Sequence, residues 1–489
     1  MTEPSSHSSI PADKGSSSPP GHPRGAPEPS ADTRASYAGA PAARFTSSQR
    51  IILWLACSAV FFEAFDVSIV NLALPAMAGS LRISLAEAQW VQTLYLLSFG
   101  GFLLLGGRLC DHAGSRTIFL AGMSVFCAAS ALAFASQSFP LLLLARGGQG
   151  VGAALAIPGG LSLLSRNFPE GRQRSTALGI FGAFAAIGFA GGLALGGMIT
   201  SFLNWHWIFG VNVPVIIPVL AAGYYFIPGK EMHAGTPPDL LTACWLTSTL
   251  LLFCYTIHQL PLLGLLSVPL LLASLISGAL LLARDRRQPR PFFARRLYPS
   301  GEGYRALAAS SILGACFLGY IFLVTAGFYQ VMQWDARSTG LLLFPYSIAS
   351  ALVSKFLLPV LFRRYGISRV AQLALVLLLA GILFLLTGIG TGKLAWFLVS
   401  LFLVNSLAIA IGYPALSILS LAGVPSDRQG IAAGLQAAIY TTGTGVGLSL
   451  IGLCLLSTPA YDIPAQLSLP CMVIALLCTI GVLLLAKPI

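Results

Sequence analysis

Long apolar stretches separated by short polar punctuation fill the chain from residue 51 onward. Each is close to the roughly 20 residues that an α-helix needs to cross a bilayer, and about twice the length of a barrel strand. The pattern therefore predicts an all-α membrane protein. Fourteen segments are predicted to be transmembrane helices: 51–74, 87–109, 117–136, 140–165, 176–200, 205–227, 239–257, 262–283, 306–331, 339–362, 369–390, 394–420, 430–456 and 466–486.

The seventh and eighth segments decide this count. The stretch from Leu240 to Ala283 contains no ionisable side chain of the acidic or basic types except His258, and a break occurs near Pro261. It is about twice as long as one crossing, so two helices fit and one does not. The predicted organisation is a six-helix bundle, a central helix pair, a basic loop and a second six-helix bundle, over 51–228, 239–284, 285–305 and 306–487. Paired bundles of this kind are typical of secondary transporters.

Composition and charge agree with a membrane protein. Hydrophobic residues make up 56% of the chain and charged residues 9%, against about 25% charged in soluble domains. Outside the tail, loops on the tail side hold 18 Lys and Arg residues, whereas loops on the other side hold three, namely Arg82, Arg337 and Lys393. This bias predicts that both termini are cytoplasmic. It also explains the net charge of +12 without a nucleic-acid partner.

Signals for metal, cofactor or enzyme chemistry are weak. The nine cysteines form no CxxC pair, and no HExxH motif occurs. The sequence GIGTGKL at 388–394 lacks the first Gly and the final Ser or Thr of a phosphate-binding loop. We therefore expect no metal, no cofactor and no enzymatic activity.

Two acidic residues, Glu63 and Asp66, are the only acids deep within an apolar segment. They are three positions apart and share a helix face. Two carboxylates in a medium of low dielectric resist ionising together, and an acid inside a membrane is costly, so at least one of them is predicted to take up and release protons. The alternative is a hydrogen-bonded structural acid, or one that faces a wet vestibule.

Arg146 is a basic residue at similar depth, because it follows four leucines within an apolar segment. A guanidinium at that depth needs an acid, carbonyl groups or water. Asp66 or Glu63 on a neighbouring helix is the natural partner, and protonation of the acid would release the pair. The alternative is that Arg146 is a constant anchor of helix packing.

Two motifs stand at the ends of the first and second segments. FDVSIVNLALP at 65–75 has the pattern D-x-x-I-V-N-x-A-L-P, supplied by Asp66, Ile69, Val70, Asn71, Ala73, Leu74 and Pro75. GRLCDHAGSR at 107–116 has the pattern G-x-L-a-D-r-x-G-r, supplied by Gly107, Arg108, Asp111, Gly114 and Arg116.

Three further motifs follow in order. RGGQGVGAA has the pattern R-x-x-q-G-x-g-a-a, carried by Arg146, Gln149, Gly150 and Gly152. The fifth segment has the spacing G-x8-G-x3-G-P-x2-G-G at Gly179, Gly188, Gly192, Gly196 and Gly197, and small residues four apart let membrane helices approach closely. WHWIFGVNVP at 205–214 follows W-R-W-I-F-x-x-N-x-P. Together the five motifs resemble the fourteen-helix drug:proton antiporter branch of the major facilitator superfamily, over roughly residues 50–487.

The resemblance implies alternating access between two halves, with the substrate in a central cavity and proton influx as the driving force. From the residues themselves, we expect Asp66, Glu63 and Arg146 to form the proton-coupling element. Asn71 and Gln149 become candidates for the cavity. The charged loop residues Arg108, Asp111 and Arg116, with Gly107 and Gly114, would form a cytoplasmic gating loop that latches in one state only.

The sequence departs from the family pattern at four positions. Leu193 replaces the proline of the antiporter motif, which leaves the helix bend and the export direction open. His206 replaces the usual arginine. In the second half, Arg363 stands where the loop repeat has an Asp, and Glu63 lies outside the signature altogether.

The function predicted on this basis is proton-coupled efflux of a small amphiphilic compound, such as a drug, a siderophore or an antibiotic. The alternatives are a proton-coupled importer of an organic solute and, further away, a polytopic enzyme or a channel. The predicted protein is a monomer in the lipid bilayer with a small molecule and protons as partners. Arg outnumbers Lys by 23 to 5, which favours a bacterial inner membrane.

The tail over 1–45 gives a first prediction. It is rich in Ser, Pro, Ala and Gly, cannot bury a core, and has no apolar stretch of the secretory-signal type, so we expect disorder. Truncation to a start near Arg44 should therefore leave transport in membrane vesicles unchanged at equal expression. Loss of transport would instead show that the tail has a docking role.

Overall fold

The computed structural model describes residues 45–169, 171–229, 239–288, 301–424, 429–459 and 462–486. Within these ranges the chain is helical and contains no β-strand. Fourteen helices are long and apolar enough to cross a membrane, which confirms the predicted number. They are α1 Ser47–Leu81, α2 Leu85–Ala113, α3 Ser115–Phe134, α4 Phe139–Asn167, α5 Arg172–Phe202, α6 Trp207–Phe226, α7 Leu240–His258, α8 Leu260–Asp285, α9 Gly301–Gln330, α10 Ala336–Tyr365, α11 Ile367–Thr391, α12 Leu394–Leu421, α13 Gln429–Ser457 and α14 Ile463–Ala486.

Several helices extend beyond the predicted apolar segments. Helix α1 begins after Thr46, whose hydroxyl accepts a hydrogen bond from the Gln49 backbone NH in a capping box. It continues through Pro75, where the predicted segment ended, and stops at Arg82 with a φ of 54°. Membrane helices tolerate such a proline because neighbouring helices support the backbone around it. The predicted tail and most of the predicted basic loop 285–305 lie outside the described residues.

The two halves repeat one sharp turn. Gly114 separates α2 from α3 with φ 87° and ψ 145°, and Gly366 separates α10 from α11 with φ 79° and ψ 161°. A positive φ of this kind strongly favours glycine. Equivalent turns in the first and second halves are what an internal structural repeat predicts. We call the end of the molecule that carries these two turns the basic end, because arginine-rich loops lie there, and the opposite end the far end.

The halves α1–α6 and α9–α14 meet along two seams, α5 with α10 and α2 with α13. The α5–α10 seam is tight at the far end, where a Cβ atom on Gly340 would lie 2.6 Å from the Leu193 carbonyl oxygen and Gly197 abuts the backbone of Ala336. Toward the basic end, a Cβ atom on Gly179 or Gly182 would meet nothing within 4 Å. The α5 glycines of this seam are therefore tightly packed near the far end and loosely surrounded near the basic end.

The central pair α7 and α8 lies against the other seam. Thr247 of α7 abuts Gly101 of α2, and His258 of α7 abuts Gly452 of α13, so α7 contacts both halves. Helix α8 packs mainly on α7 and exposes most of its leucines, as at Leu265, which is 90% exposed. Apolar exposure on this scale suits a helix that faces lipid.

A polar clamp joins the basic ends of α7 and α8. Asp239 caps α7 by accepting hydrogen bonds from the backbone NH and the hydroxyl of Thr242, at 3.1 and 2.6 Å. Arg284 forms an ion pair with the same carboxylate at 2.6 Å, and Gln288 donates to it. Burial alone would raise the pKa of Asp239, but the hydrogen bonds from Arg284, Thr242 and Gln288 outweigh it and hold that pKa below its usual range.

The close α1–α5 contact gives a prediction about stability. A Cβ atom on Gly188 would lie 2.5 Å from the carbonyl oxygen of Phe61, whereas one on Gly179 would meet open space. Gly188→Ala should therefore destabilise the protein by about 1–3 kcal/mol through overpacking, whereas Gly179→Ala on the same helix should be neutral or slightly stabilising. Thermal unfolding in detergent measures both. Equal melting temperatures for the two variants would contradict the packing role of Gly188.

The clamp gives a prediction with a pH dependence. Because the folded-state pKa of Asp239 is depressed, its contribution is fully present above the unfolded pKa of about 4 and declines as the pH falls below that value. Asp239→Asn should lower stability by less than about 1 kcal/mol at pH 7, since the pair is partly solvent-screened. The difference from wild type should shrink at pH 3. A difference that grows on acidification would contradict the clamp.

Candidate functional site

An ion pair lies in the interior of the first half, where Arg146 of α4 meets Asp66 of α1. Both side chains are 0% exposed, and Arg146 is among the largest fully buried side chains of the described residues. One terminal guanidinium nitrogen contacts a carboxylate oxygen of Asp66 and also donates to the Gln149 amide oxygen at 2.8 Å. A buried charge is tolerated only when it is paired and hydrogen-bonded, so the two residues depend on each other.

Gln149 extends this pair into a network across three helices. Its amide nitrogen donates to the second carboxylate oxygen of Asp66 at 3.2 Å and to the Ser130 hydroxyl of α3 at 2.9 Å. Arg146 and Gln149 are one helical turn apart, so both side chains reach the same carboxylate. The network therefore adds an ionic link to the packing of α1 on α4 and joins α3 to it.

Arg146 has further partners on α2 and α6. Its Nε donates to the backbone carbonyl of Val91 at 2.8 Å, and its guanidinium carbon lies 4.3 Å from the ring centroid of Tyr95. The ring centroid of Phe209 lies 5.7 Å from the same guanidinium carbon. A cation over an aromatic face contributes about 2 kcal/mol when the pair is desolvated. These contacts supply the guanidinium with stabilisation that does not come from α1.

Glycines of α4 set these distances. A Cβ atom on Gly150 would collide with the backbone carbonyl of Tyr95 and lie 2.9 Å from the Ser98 Cβ. A Cβ atom on Gly152 would lie 2.6 Å from the Phe126 backbone nitrogen of α3. Small residues at these positions bring α2 and α3 against α4, which places Tyr95 over Arg146.

Glu63 lies apart from this network. It is half-buried and forms no hydrogen bond or ion pair with any other described residue, so Arg146 pairs with Asp66 and leaves Glu63 out. Its carboxylate is within electrostatic reach of the Tyr95, Tyr413 and Tyr440 phenols. The last two rings belong to the second half and pack edge to face, 4.9 Å apart. Glu63 therefore lies close enough to the second half for its charge to act on these two phenols.

The two residues predicted to line the cavity are both fully buried. Asn71 is 1% exposed and donates to the Val67 carbonyl of its own helix at 3.0 Å. Gln149 is used within the ion-pair network. In this conformation neither amide faces the space between the halves, because each binds groups inside the first half.

The residues of the predicted gating loop are spread along the basic end. Arg116 donates to the Tyr224 carbonyl of α6 at 2.6 Å and lies 5.3 Å above the ring of the same residue. Asp111 is exposed and forms no ion pair with the described part of the chain. The structure thus joins Arg116 to α6 within one half and does not join it to Asp111. A Cβ atom on Gly107 would meet nothing, and Gly114 makes the turn described above.

The family departures have local explanations. Helix α5 runs unbroken from Arg172 to Phe202, since Leu193 is an ordinary helix residue and is fully buried. The His206 ring stacks on Trp205 at 3.6 Å and contacts the Ser136 carbonyl at 2.9 Å. Of the glycines in the antiporter spacing, Gly188, Gly192, Gly196 and Gly197 make close contacts and Gly179 makes none.

Three contributors to the network have no recognisable sequence signal, namely the Val91 carbonyl, Tyr95 and Ser130, whereas Phe209 belongs to the motif at 205–214. Each reaches Arg146 or Gln149 through helix packing, so only the α4 glycines hinted that α2 and α3 lie close. No group of three His, Cys, Asp or Glu side chains that could hold a metal ion occurs among the described residues.

Two repeated halves around a buried ion pair in the membrane interior are the arrangement of a secondary transporter. The family model of the Major Facilitator Superfamily matches residues 56–448. The cephamycin export protein CmcT of Amycolatopsis lactamdurans is 35% identical over 65% of this chain and 67% of that protein. The lincomycin resistance protein of Streptomyces lincolnensis is 31% identical over 79% and 80%. This chain belongs to the Major Facilitator Superfamily and is a multi-pass membrane transporter, not an enzyme.

A solved structure supports the fold independently of sequence. The nucleoside transporter NupG superposes with a TM-score of 0.63 at 12% identity, over 90% of this chain and 99% of that protein. At this identity the likeness concerns the fold alone.

Proposed function

We propose that this transporter exports a small amphiphilic drug or antibiotic in exchange for protons, by alternating access of its two halves. The names of the relatives support efflux, since one is an export protein and another a resistance protein. The bias of positive charge supports cytoplasmic termini in a bacterial inner membrane. The working unit is one chain, because both halves and the ion pair belong to it.

The observation that carries proton coupling is the fully buried pair of Asp66 and Arg146. An ionised carboxylate is stable at this depth only while the guanidinium faces it. Addition of a proton to Asp66 removes the charge that holds α1 against α4. Proton binding and helix movement are thereby linked through one side chain, which is what exchange of a proton for a substrate requires.

Glu63 has a separate place in this proposal. It lies within electrostatic reach of Tyr413 and Tyr440 in the second half. A carboxylate beside aromatic rings suits an amphiphilic substrate and also senses the charge on Asp66, one turn away. We propose that Glu63 tunes the pH at which transport proceeds, and that Asp66 carries the proton.

We propose that the substrate loads from the basic end, the side that we assign to the cytoplasm. The tight packing of Gly340 and Gly197 at the far end of the α5–α10 seam, with Gly179 and Gly182 loosely surrounded nearer the basic end, supports this direction. In the opposite state we propose that Asp111, with Arg108 and Arg116, closes the basic end as a latch.

The proton-coupling proposal predicts distinct outcomes for three variants. Asp66→Asn fixes a neutral side chain and should abolish transport driven by a pH gradient, with substrate binding retained. Glu63→Gln should shift the pH optimum with a smaller loss of rate, and Arg146→Ala should cripple turnover because Asp66 is left buried and unpaired. The assay is substrate movement in proteoliposomes under an imposed pH gradient, at matched protein levels. Asp462→Asn, an acid in a far-end loop, is the control and should behave as wild type.

Two results would overturn the proposal in different ways. Normal gradient-driven transport by Asp66→Asn and Glu63→Gln, singly and combined, would show that this helix does not carry the proton. Inward accumulation of substrate along the same gradient, in vesicles of defined orientation, would make the protein an importer.

A further inference from the structure

Arg146 is held mainly by groups that do not lie on α1. The Val91 carbonyl and the Tyr95 ring belong to α2, the Gln149 amide to α4 itself, and the Phe209 ring to α6. Helix α1 contributes one group, the carboxylate of Asp66. If that carboxylate became neutral, four of the five contacts of the guanidinium would remain.

Asp66, by contrast, has no such second set of partners. Both of its carboxylate oxygens are bound by side chains of α4, Arg146 and Gln149, and the side chain is fully buried. When the carboxylate loses its charge, the hydrogen bond from Gln149 becomes a neutral one and the bond from Arg146 keeps only its cationic donor, so both weaken. The weaker attachment is therefore on the α1 side of the pair.

Tyr95 is the residue whose chemistry best fits the role of a substitute partner. Its hydroxyl is buried and has no hydrogen-bond partner among the described residues, although a buried hydroxyl usually has one. Its ring face, however, lies 4.3 Å from the Arg146 guanidinium. Gly150, one turn after Arg146, allows the Tyr95 backbone to approach α4 and fixes the ring there. The aromatic ring of Tyr95, and not its hydroxyl, thus contacts Arg146.

We infer that Tyr95 is a positioning residue that keeps Arg146 charged and in place while Asp66 is protonated, so that α1 moves and α4 does not. This inference rests on the proposed proton coupling and adds which side of the pair is mobile. Helices α2, α3 and α4 then form one rigid block, joined by the contacts at Gly150 and Gly152. Protonation removes the ionic link between α1 and that block and leaves neutral hydrogen bonds between them, including those from Gln92 to the Val67 carbonyl and from Gln49 to the Asn167 carbonyl.

The charged and titratable groups around Arg146 are few. Asp66 faces it from α1 and Tyr95 faces it from α2, whereas Glu63, one turn before Asp66, makes no pair with it. Ser130 of α3 and Phe209 of α6 carry no charge, and His206, one turn before Phe209, binds the Ser136 carbonyl instead. Tyr413 and Tyr440 lie beyond Glu63 in the second half. A change at the Tyr95 ring therefore acts chiefly on the pair of Asp66 and Arg146.

The direction of the effect follows from the charge balance. Without the aromatic face, the guanidinium relies more on an ionised Asp66, and protonation of Asp66 leaves it less well compensated. Protonation then requires a more acidic medium. For a desolvated cation–π contact the expected shift of the half-maximal pH is about one unit toward acid, or about tenfold in proton concentration.

The test compares Tyr95→Phe, which keeps the ring and removes the unpartnered hydroxyl, with Tyr95→Leu, which removes the ring. Both are reconstituted in proteoliposomes beside wild type and Asp66→Asn. The pH profile of gradient-driven transport is measured, together with substrate exchange at equal pH on both sides. Exchange at equal pH reports correct folding and substrate binding without net proton movement.

Tyr95→Phe should match wild type, and Tyr95→Leu should show the acid shift with exchange and apparent KM preserved. If Tyr95→Leu keeps the wild-type pH profile while Asp66→Asn abolishes gradient-driven transport, the inference about Tyr95 is wrong and proton coupling stands. If Asp66→Asn transports normally, the proposed function itself fails. Should Tyr95→Leu lose exchange as well, Tyr95→Met supplies a flexible apolar replacement, and a wild-type profile for it would equally refute the role of the ring.

Discussion

The structure of the first half depends on one electrostatic constraint, that the guanidinium of Arg146 is buried where no water can solvate it. The Asp66 carboxylate, the Gln149 amide and a backbone carbonyl bind two of its three nitrogens, and two aromatic faces lie against it. These groups come from helices α1, α2, α4 and α6, so satisfying one charge requires the helices to be packed in one arrangement. A residue that is expensive to bury thereby specifies the geometry of the bundle.

Glycines make that arrangement possible. Lipid offers helices no hydrophobic reason to associate, so close approach depends on small side chains and on the few polar contacts they permit. Gly150 and Gly152 draw α2 and α3 onto α4, whereas Gly188 and Gly192 draw α1 onto α5. Helix α1 thus packs on α5 through glycines and on α4 through both Gly160 and the ion pair. Of these contacts, the ion pair depends on the protonation of its carboxylate.

The fold was largely predictable from the sequence, and the site only in part. Helix number follows from segment length, and the pairing of Asp66 with Arg146 follows from how few ionisable residues lie at membrane depth. The passage of α1 through Pro75 was missed, because an apolar count cannot register support from neighbouring helices. Tyr95 was missed for a related reason, since an aromatic residue in an apolar segment carries no mark of the cation above it. The isolation of Glu63 likewise depends on helix rotation, which spacing alone does not fix.

The position of α7 has a consequence for how the two halves can move. Because α7 contacts α2 through Gly101 and α13 through Gly452, it bridges the two halves along one seam. A bridging helix limits the separation of the halves on its own side, so we expect the larger relative movement at the opposite seam, between α5 and α10. Among the described residues neither α7 nor α8 packs substantially on α5 or α10, so the two seams differ in support: a third helix bridges one of them and not the other.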